Sequence, residues 1–428
     1  MSRTTIVVFT RLPRAGEAKT RMIPVLGAEG AARLQEPMTR HIVGRVWSHA
    51  AATGGRLVVA ATGCTPREMR SWLGPVEVVP QGDGDLGDRL SRVIEGEFRR
   101  GAGKVIVVGA DCPRLHEGHL VEAEEALEQS DLVFGPAQDG GYYLVGLNRP
   151  LRSLFENIAW GTGDVLTQSL AAASLMGIVP VKIETLSDVD EPEDLDAGLS
   201  ALEEGRSVSV IIPALNESEN LKRLLPLLLQ ESPGEIIVVD GGSDDDTVSV
   251  AESLGAQVIR AERGRASQMN VGAHAAVGEF LLFLHADTTP PEGWALLVAE
   301  TLIRPGVPSG AFSFALSEPV RGKRIMESLV ALRCRVFGTP YGDQGLFVRR
   351  RLFLALGGFP EWPILEDVEI VKQLGKLGKV VVTEEKALTS ARRWRTKGVL
   401  RTFLAHQAIL VGYTLGLKRE MFTKLREP

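Results

Sequence analysis

The chain reads as an α/β protein built from two mostly parallel, doubly wound sheets in tandem. Three observations carry that reading. Short apolar runs alternate with helical patterns through residues 4–204, and the same alternation restarts at Val208. In each half, one apolar run closes on an aspartate: Val105 to Asp111, and Phe280 to Asp287. Runs of this kind are buried parallel strands, and they deliver a carboxylate to the sheet edge where open α/β folds bind ligands. An Asp at that edge suits a divalent cation carrying a phosphate. The alternative for either Asp is a helix N-cap.

The elements follow in order. Strands are expected at Thr5–Phe9, Arg56–Ala60, Val76–Val79, Lys104–Val108, Leu132–Phe134 and Val179–Ile183, with helices at Ala28–Ala50 and Asp88–Arg99 between them. Alternation of strand and helix predicts parallel pairing. A helical stretch, Pro192–Glu204, closes the first half, and Gly205-Arg206-Ser207 is the expected seam, giving domains of residues 1–204 and 205–428. The second half predicts strands at Val208–Ile212, Glu235–Val239, Gln257–Arg260 and Phe280–Leu284, with helices at Ser218–Gln230 and Asp246–Leu254. Beyond Arg304 the alternation loosens into a basic helix, Glu318–Phe337, and a helical C-terminal region.

Composition narrows the function classes. A length of 428 residues predicts two or three domains. A net charge of −6 argues against nucleic acid as a partner. Three cysteines, Cys64, Cys112 and Cys334, lack metal spacing and fit a reducing compartment. The start runs straight into a strand without a signal peptide, so a cytoplasmic protein is expected. A peripheral contact with an anionic membrane surface is expected through Arg321, Lys323, Arg324, Arg333 and Arg335 and the basic stretch Arg392 to Arg426. A solvated helix face is the alternative.

Several loops carry candidate chemistry. After the first strand, Thr10 to Arg21 combines Gly16 with the cations Lys19 and Arg21, a pattern suited to a triphosphate. Gly82 to Gly87 satisfies G-x-G-x-x-G, but it follows the third strand and holds two carboxylates, so a dinucleotide site is rejected in favour of a turn with an Asp near a helix start or a loop that closes over a base or a metal. Asp139-Gly140-Gly141 sets bare backbone beside a carboxylate, suited to close ligand approach. Asp190 is a candidate second metal ligand opposite Asp111; capping of the next helix is the rival.

Two resemblances follow from these residues. The loop with Pro13, Gly16, Lys19 and Arg21, then Gly109-Ala110-Asp111, then Asp188-Val189-Asp190 with Pro192-Glu193-Asp194-Leu195, resembles nucleotidyltransferases that build activated sugars. It is most similar to uncharacterised relatives of the molybdenum-cofactor and phospholactate guanylyltransferases. That resemblance implies Lys19 and Arg21 on phosphates and Asp111 with Asp190 on Mg²⁺. In the second half, Val208 to Glu217 with Pro213 and Asn216, then Asp240-Gly241-Gly242, His285-Ala286-Asp287, Gly357-Gly358-Phe359 and Glu366-Asp367 resemble the family 2 glycosyltransferases of GT-A fold. Arg263, Arg265 and Asn270 fit a subgroup named for arsenosugar biosynthesis.

The second resemblance implies metal-assisted, inverting transfer from a nucleotide-diphosphate sugar to an acceptor the sequence does not name. It implies Asp287 on Mg²⁺ or Mn²⁺, with His285 standing where an Asp is usual. It implies Asp367 or Glu366 as the base, Asp240 on the base or ribose, and Arg393-Trp394 on the diphosphate. Pro213, Asn216, Glu217, Arg263, Arg265 and Asn270 complete the binding set. The rival for Glu366-Asp367 is an N-cap on a following helix, Val368–Leu374. Two further readings make the first half a catalytic nucleotidyltransferase that supplies the activated sugar, or a nucleotide-binding regulatory module.

Overall fold

The computed structural model describes residues 3–319, 323–337, 340, 342–362 and 364–390, with the backbone alone at 335–337. The chain divides into two compact units, Met1–Arg206 with Ile303–Gly306, and Ser207–Leu302 with Val307–Pro428.

The first unit holds seven strands: β1 (Thr4–Arg11), β2 (Arg56–Thr62), β3 (Glu77–Pro80), β4 (Lys104–Gly109), β5 (Leu132–Pro136), β6 (Tyr142–Leu147) and β7 (Val181–Lys182). They lie in the order β3-β2-β1-β4-β6-β5-β7. All pairs are parallel except those of β6, which runs antiparallel to both β4 and β5. The second unit repeats the plan with β8 (Val208–Ala214), β9 (Glu235–Asp240), β10 (Gln257–Arg260), β11 (Phe280–Phe283), β12 (Thr288–Thr289), β13 (Ser309–Leu316), β14 (Leu346–Arg349) and β15 (Val381–Thr389). Its order is β10-β9-β8-β11-β14-β13-β15-β12, and β14 is the antiparallel strand that corresponds to β6.

The β-branched runs explain the central strands. Ile6, Val7 and Val8 of β1 are wholly buried, as are Val210, Ile211 and Ile212 of β8. Strands covered by helices on both faces need apolar side chains at every position. Burying each such side chain contributes about 2 kcal/mol. The cores sit on both faces of each sheet, Val8 with Ile42 on one face of the first and Val7 with Leu90 on the other.

Helices mostly match expectation. The first runs Ile23–Thr53, with a break at Gly27, whose φ is +69°. The turn at Gly82 to Gly87 behaves as read: Asp85 caps the helix Leu86–Arg99 by accepting from the Asp88 amide at 2.9 Å. The seventh-strand region is shorter than expected, two residues only. The basic helix begins at Lys323 rather than Glu318. β6 and β12–β15 were not anticipated.

Candidate functional site

In the first unit β4 ends at Gly109, and the chain turns so that Asp111 stands at the sheet edge with its side chain 42% exposed. Asp111 does not cap a helix. The next one, Glu117–Ala126, is capped by His116. Lys19 sits at φ +46°, a left-handed conformation unusual for a residue with a side chain. Its ammonium, 5% exposed, reaches Asp190 Oδ1 at 2.5 Å and Asp111 Oδ2 at 3.7 Å. The loop carrying Asp190 is tied to this edge by the Val189 amide, which donates to the Asp111 carbonyl at 3.0 Å. Arg21 lies 3.9 Å from Asp190 and 3.3 Å from Glu191. Capping falls to Glu191 and Asp194, not to the Asp190 side chain.

The electrostatics couple these groups to one another. Burial opposes the Lys19 charge, but Asp111, Asp190 and Asp188 outweigh it and hold the ammonium above its usual pKa. Burial, then the charges of Asp139, Asp190 and Asp111, push the Asp188 carboxyl up to about 6. Asp139 and Asp188 therefore belong with Asp111 and Asp190. Asp188 was quoted in the sequence without a role, and its signal is its place two residues before Asp190. Gly140 has φ +88° and packs so closely that a Cβ there would lie 1.9 Å from the Gly163 carbonyl. Gly141 donates to Asp139 Oδ1 at 2.8 Å. These two glycines thus shape a turn around Asp139.

In the second unit, β11 ends at Phe283 and the chain continues through His285 to Asp287, both half-buried. Asp287 does not cap the next helix, Trp294–Leu302, which starts seven residues later. Asp367 lies in the first turn of the helix Glu366–Leu377, whose cap residue is Leu365 without a side-chain bond. The N-cap alternative for the Glu366-Asp367 pair therefore fails. Asp367 Oδ2 accepts from the Gly342 amide at 2.7 Å, and Oδ1 from the Val368 amide at 2.9 Å. A Cβ on Gly342 would lie 3.3 Å from Asp367 Oδ2 and 3.4 Å from His285 Nε2. One glycine thus holds the helix carboxylate beside the strand-end histidine. Glu366 is buried and faces Arg265 at 3.6 Å.

The remaining expected residues divide by what they touch. Asp240 ends β9, and its carboxylate accepts from the Gly242 and Ser243 amides at 3.1 Å, shaping the turn at that strand end. Asn216, at φ +56°, accepts from the Asp244 amide and so links the ends of β8 and β9. Glu217 bonds Asn220 at 2.5 Å. Pro213 lies one residue before the end of β8, opposite Val239. Asn270 pairs both ways with the Phe359 backbone at 2.8 Å, fixing the Gly357-Gly358 turn. Arg263 is exposed. Arg393, Trp394 and the stretch Arg392 to Arg426 lie outside the described residues, as does Arg321.

Three features went unread in the sequence. Asp343 follows Gly342 in a short turn, Gly342–Gln344. Burial, opposed by Arg333 but reinforced by Asp367 and Asp287, pushes its carboxyl up to about 6. Its only sequence signal is an acid between Gly342 and Gly345. Gln268 is buried and donates to the carbonyls of Ala214 at 2.9 Å and Val239 at 2.8 Å. It also explains Gly241, where a Cβ would lie 3.0 Å from the Gln268 amide. Gln81 does the same in the first unit, with Thr10 at 3.1 Å and Ala60 at 2.9 Å.

A third cluster, His116, His119 and Glu184, has ligand atoms within 4.8 Å of one another. It is bound up in capping instead. Each imidazole Nδ1 accepts a backbone amide at 3.1 Å, from Gly118 and His116 respectively. The His119 proton therefore sits on Nε2, facing Glu184 Oε2 at 3.1 Å. Cys112 is buried, its thiol donating to the Ser187 carbonyl at 3.2 Å, with burial first among the causes that push it up. It is packing, as read. Arg333 points inward to Gln344, and Lys323 to the Leu316 carbonyl and Glu327, so neither is part of a free cationic face. Among the described residues no helix is long and apolar enough to cross a membrane.

Comparison with known proteins separates the halves. Residues 46–162 match the family described as uncharacterized protein conserved in bacteria (DUF2064). Residues 209–342 match glycosyl transferase family 2. A PGL/p-HBAD biosynthesis glycosyltransferase of Mycobacterium bovis (strain BCG / Pasteur 1173P2) is 32% identical over 167 residues, covering 35% of this chain and 62% of its own. The match thus spans less than two thirds of that relative. A crystal structure of a putative nucleotide-diphospho-sugar transferase from Desulfovibrio desulfuricans G20 is 25% identical, covering 47% of this chain and 98% of its own, with a TM-score of 0.41. Glucosyl-3-phosphoglycerate synthase of Mycobacterium tuberculosis, solved with Mn²⁺, UDP and glucosyl-3-phosphoglycerate, is 21% identical, covering 45% of this chain and 75% of its own, with a TM-score of 0.35.

Proposed function

We propose that the second unit transfers a sugar from a nucleotide-diphosphate donor to an acceptor hydroxyl, with inversion at the anomeric carbon. One observation carries this reading. Asp367, on a helix, is held by Gly342 beside the His285-Ala286-Asp287 strand end, 80 positions earlier in the sequence. Transfer needs a base for the acceptor proton and a counter-charge for the departing diphosphate. Asp367 fits the base: its two amide bonds orient the carboxylate without a cationic partner within salt-bridge distance among the described residues. Glu366 orients Arg265, which places a guanidinium near the same edge.

Oxygen and imidazole donors suit Mn²⁺ or Mg²⁺, and Asp287 with His285 would hold it. Bound there, the cation would neutralise the diphosphate leaving group. Replacement of Asp367 by Asn tests the reading: sugar transfer should vanish while nucleotide binding persists. Unchanged turnover would reject Asp367 as base.

A second activity is proposed for the first unit, nucleotidyl transfer that makes an activated sugar. The supporting observation is the convergence of Asp111, Asp188 and Asp190 around Lys19. Lys19 and Arg21 would meet the triphosphate and the carboxylates a Mg²⁺ ion. Pyrophosphate release from a nucleoside triphosphate and a sugar phosphate tests it. Nucleotide binding without release would leave a regulatory module. A peripheral membrane contact is proposed on the helix Lys323–Phe337, where Ile325, Leu329 and Leu332 are exposed beside Arg324. Co-sedimentation with anionic vesicles checks it.

A further inference from the structure

Two loops bring carboxylates to the edge of the first unit, one running from Asp111 to His116 and one from Glu184 to Asp190. They are sewn together by the Val189 amide on the Asp111 carbonyl at 3.0 Å and the Cys112 thiol on the Ser187 carbonyl at 3.2 Å. The first loop ends in two stacked imidazoles, His116 and His119, with ring centroids 3.7 Å apart. His119 is buried and reaches the second loop, its Nε2 proton facing Glu184 Oε2 at 3.1 Å. Tyr143 meets the His119 ring edge-on and donates its hydroxyl to the Glu184 carbonyl at 2.9 Å. From the helix Ile23–Thr53, Arg45 donates to the Leu115 carbonyl at 2.7 Å.

The acceptors in this joint are the point of interest. A hydroxyl or carboxylate cap accepts at any pH above about 4. Here Nδ1 of His116 takes the Gly118 amide, and Nδ1 of His119 takes the His116 amide, each at 3.1 Å. A protonated imidazole has two N–H donors and no acceptor. A proton on either ring therefore turns a hydrogen bond into two opposed N–H groups. The groups facing the pair are Arg45 from the long helix, Tyr143 from β6 and Glu184 from the second loop; β5 brings no titratable residue. Partial burial, then His119 and Arg45, hold the His116 imidazole below its ordinary 6.5, against the pull of Glu184. The Glu184 side chain is 65% exposed, so solvent screens its attraction for a charged ring.

We propose that the His116–His119 pair is an acid-released latch: neutral, it fastens the Asp111 loop to the loop of Asp190, and protonated, it lets go of both. The latched state holds neutral rings and so binds fewer protons than the open one. The latch is thus complete above about pH 7 and weakens as pH falls below about 6.5. It belongs to the frame of this edge and stands whether or not the first unit transfers nucleotides.

The test is amide hydrogen exchange of the full chain at pH 7.5 and 5.5, corrected for the intrinsic exchange rate. Protection of the segments 111–126 and 184–190 should fall about tenfold at pH 5.5, the loss for one histidine one pH unit below 6.5. H116N/H119Q puts an Asn cap and a Gln three residues later in place of the imidazoles, and both accept at either pH. The double variant should keep its protection at pH 5.5. No loss in the parent overturns the latch. An equal loss in the double variant also overturns it and moves the titration to His41 or His49, which the variant retains. Should the double variant fail to fold, spectra of the ¹⁵N-histidine-labelled parent still decide: His116 and His119 should show an unprotonated Nδ1 at pH 7.5 that gains a proton as protection falls. A protonated Nδ1 at pH 7.5 contradicts the assignment.

Discussion

The two units share a scaffold and differ in how they hold charge. The first seven strands of each sheet lie in corresponding order, with a reversed strand beside the one that ends near the key aspartate, and the second sheet adds β12, antiparallel at its edge. Both bridge their first two strand ends with a buried glutamine, Gln81 in one and Gln268 in the other. In the first unit Lys19 is already seated among the carboxylates at 2.5 Å from Asp190. In the second, no cation lies within salt-bridge distance of Asp343 among the described residues, and Arg265 pairs with Glu366. A fold can thus keep its frame while one edge is neutralised by its own lysine and the other is left to recruit a cation.

That difference can be broken experimentally. The largest effect should fall on chemistry: D367N should lower sugar transfer by about 10²–10⁴-fold, the usual worth of a positioned base, while D111N leaves transfer from a supplied donor intact. A fall with D111N would mean that the halves work as one site.

Smaller effects probe the shared frame. Q81L and Q268L should each cost about 1–3 kcal/mol, since each removes two buried hydrogen bonds to strand-end carbonyls. Unequal costs would show that the glutamines are equivalent in place but not in burden. Next, K19M should destabilise the first unit by about 1 kcal/mol, because it removes the buried ammonium that pairs with the partly exposed Asp111 and Asp190. Urea unfolding measures this, and added Mg²⁺ should restore part of the loss. Without a loss, Lys19 is not the internal counter-ion. Smallest is the effect of Asp188, whose carboxyl is raised from 3.8 to about 6. Its favourable contribution is complete below about pH 4 and is lost as pH rises through about 6. D188N should therefore be more stable than the parent by about 1 kcal/mol at pH 7, allowing for partial exposure, with the two converging near pH 4. A difference independent of pH would remove Asp188 from the cluster.

Much of the frame was legible because all-apolar strands such as Val105–Val108 admit few readings. The strands that were missed are of another kind. β15 carries Thr383, Glu384, Glu385 and Lys386, which alternate poorly and mask a strand whose partners lie far away in the chain. β6 follows Asp139-Gly140-Gly141, and the glycines drew attention to a ligand loop rather than to the strand behind it. Asp111 and Asp287 were legible because each closes an apolar run and Asp190 because it follows the last strand of its half, whereas Asp367 came from the family resemblance. Asp343 was not legible, since only tertiary contacts through Thr389 and Ser390 bring it to the edge. Asn270 was read as a binding residue, but its amide is taken by the Phe359 backbone, a pairing that no local pattern announces.

The most direct measurement is the thermal shift of the full chain with UDP-, GDP-, CDP- and dTDP-sugars, with and without Mn²⁺, repeated on D287N. At least one nucleotide sugar should raise the melting temperature of the second unit only when Mn²⁺ is present, and D287N should abolish that rise. A shift that persists in D287N, or no shift with any donor, would contradict a cation-anchored donor at this edge.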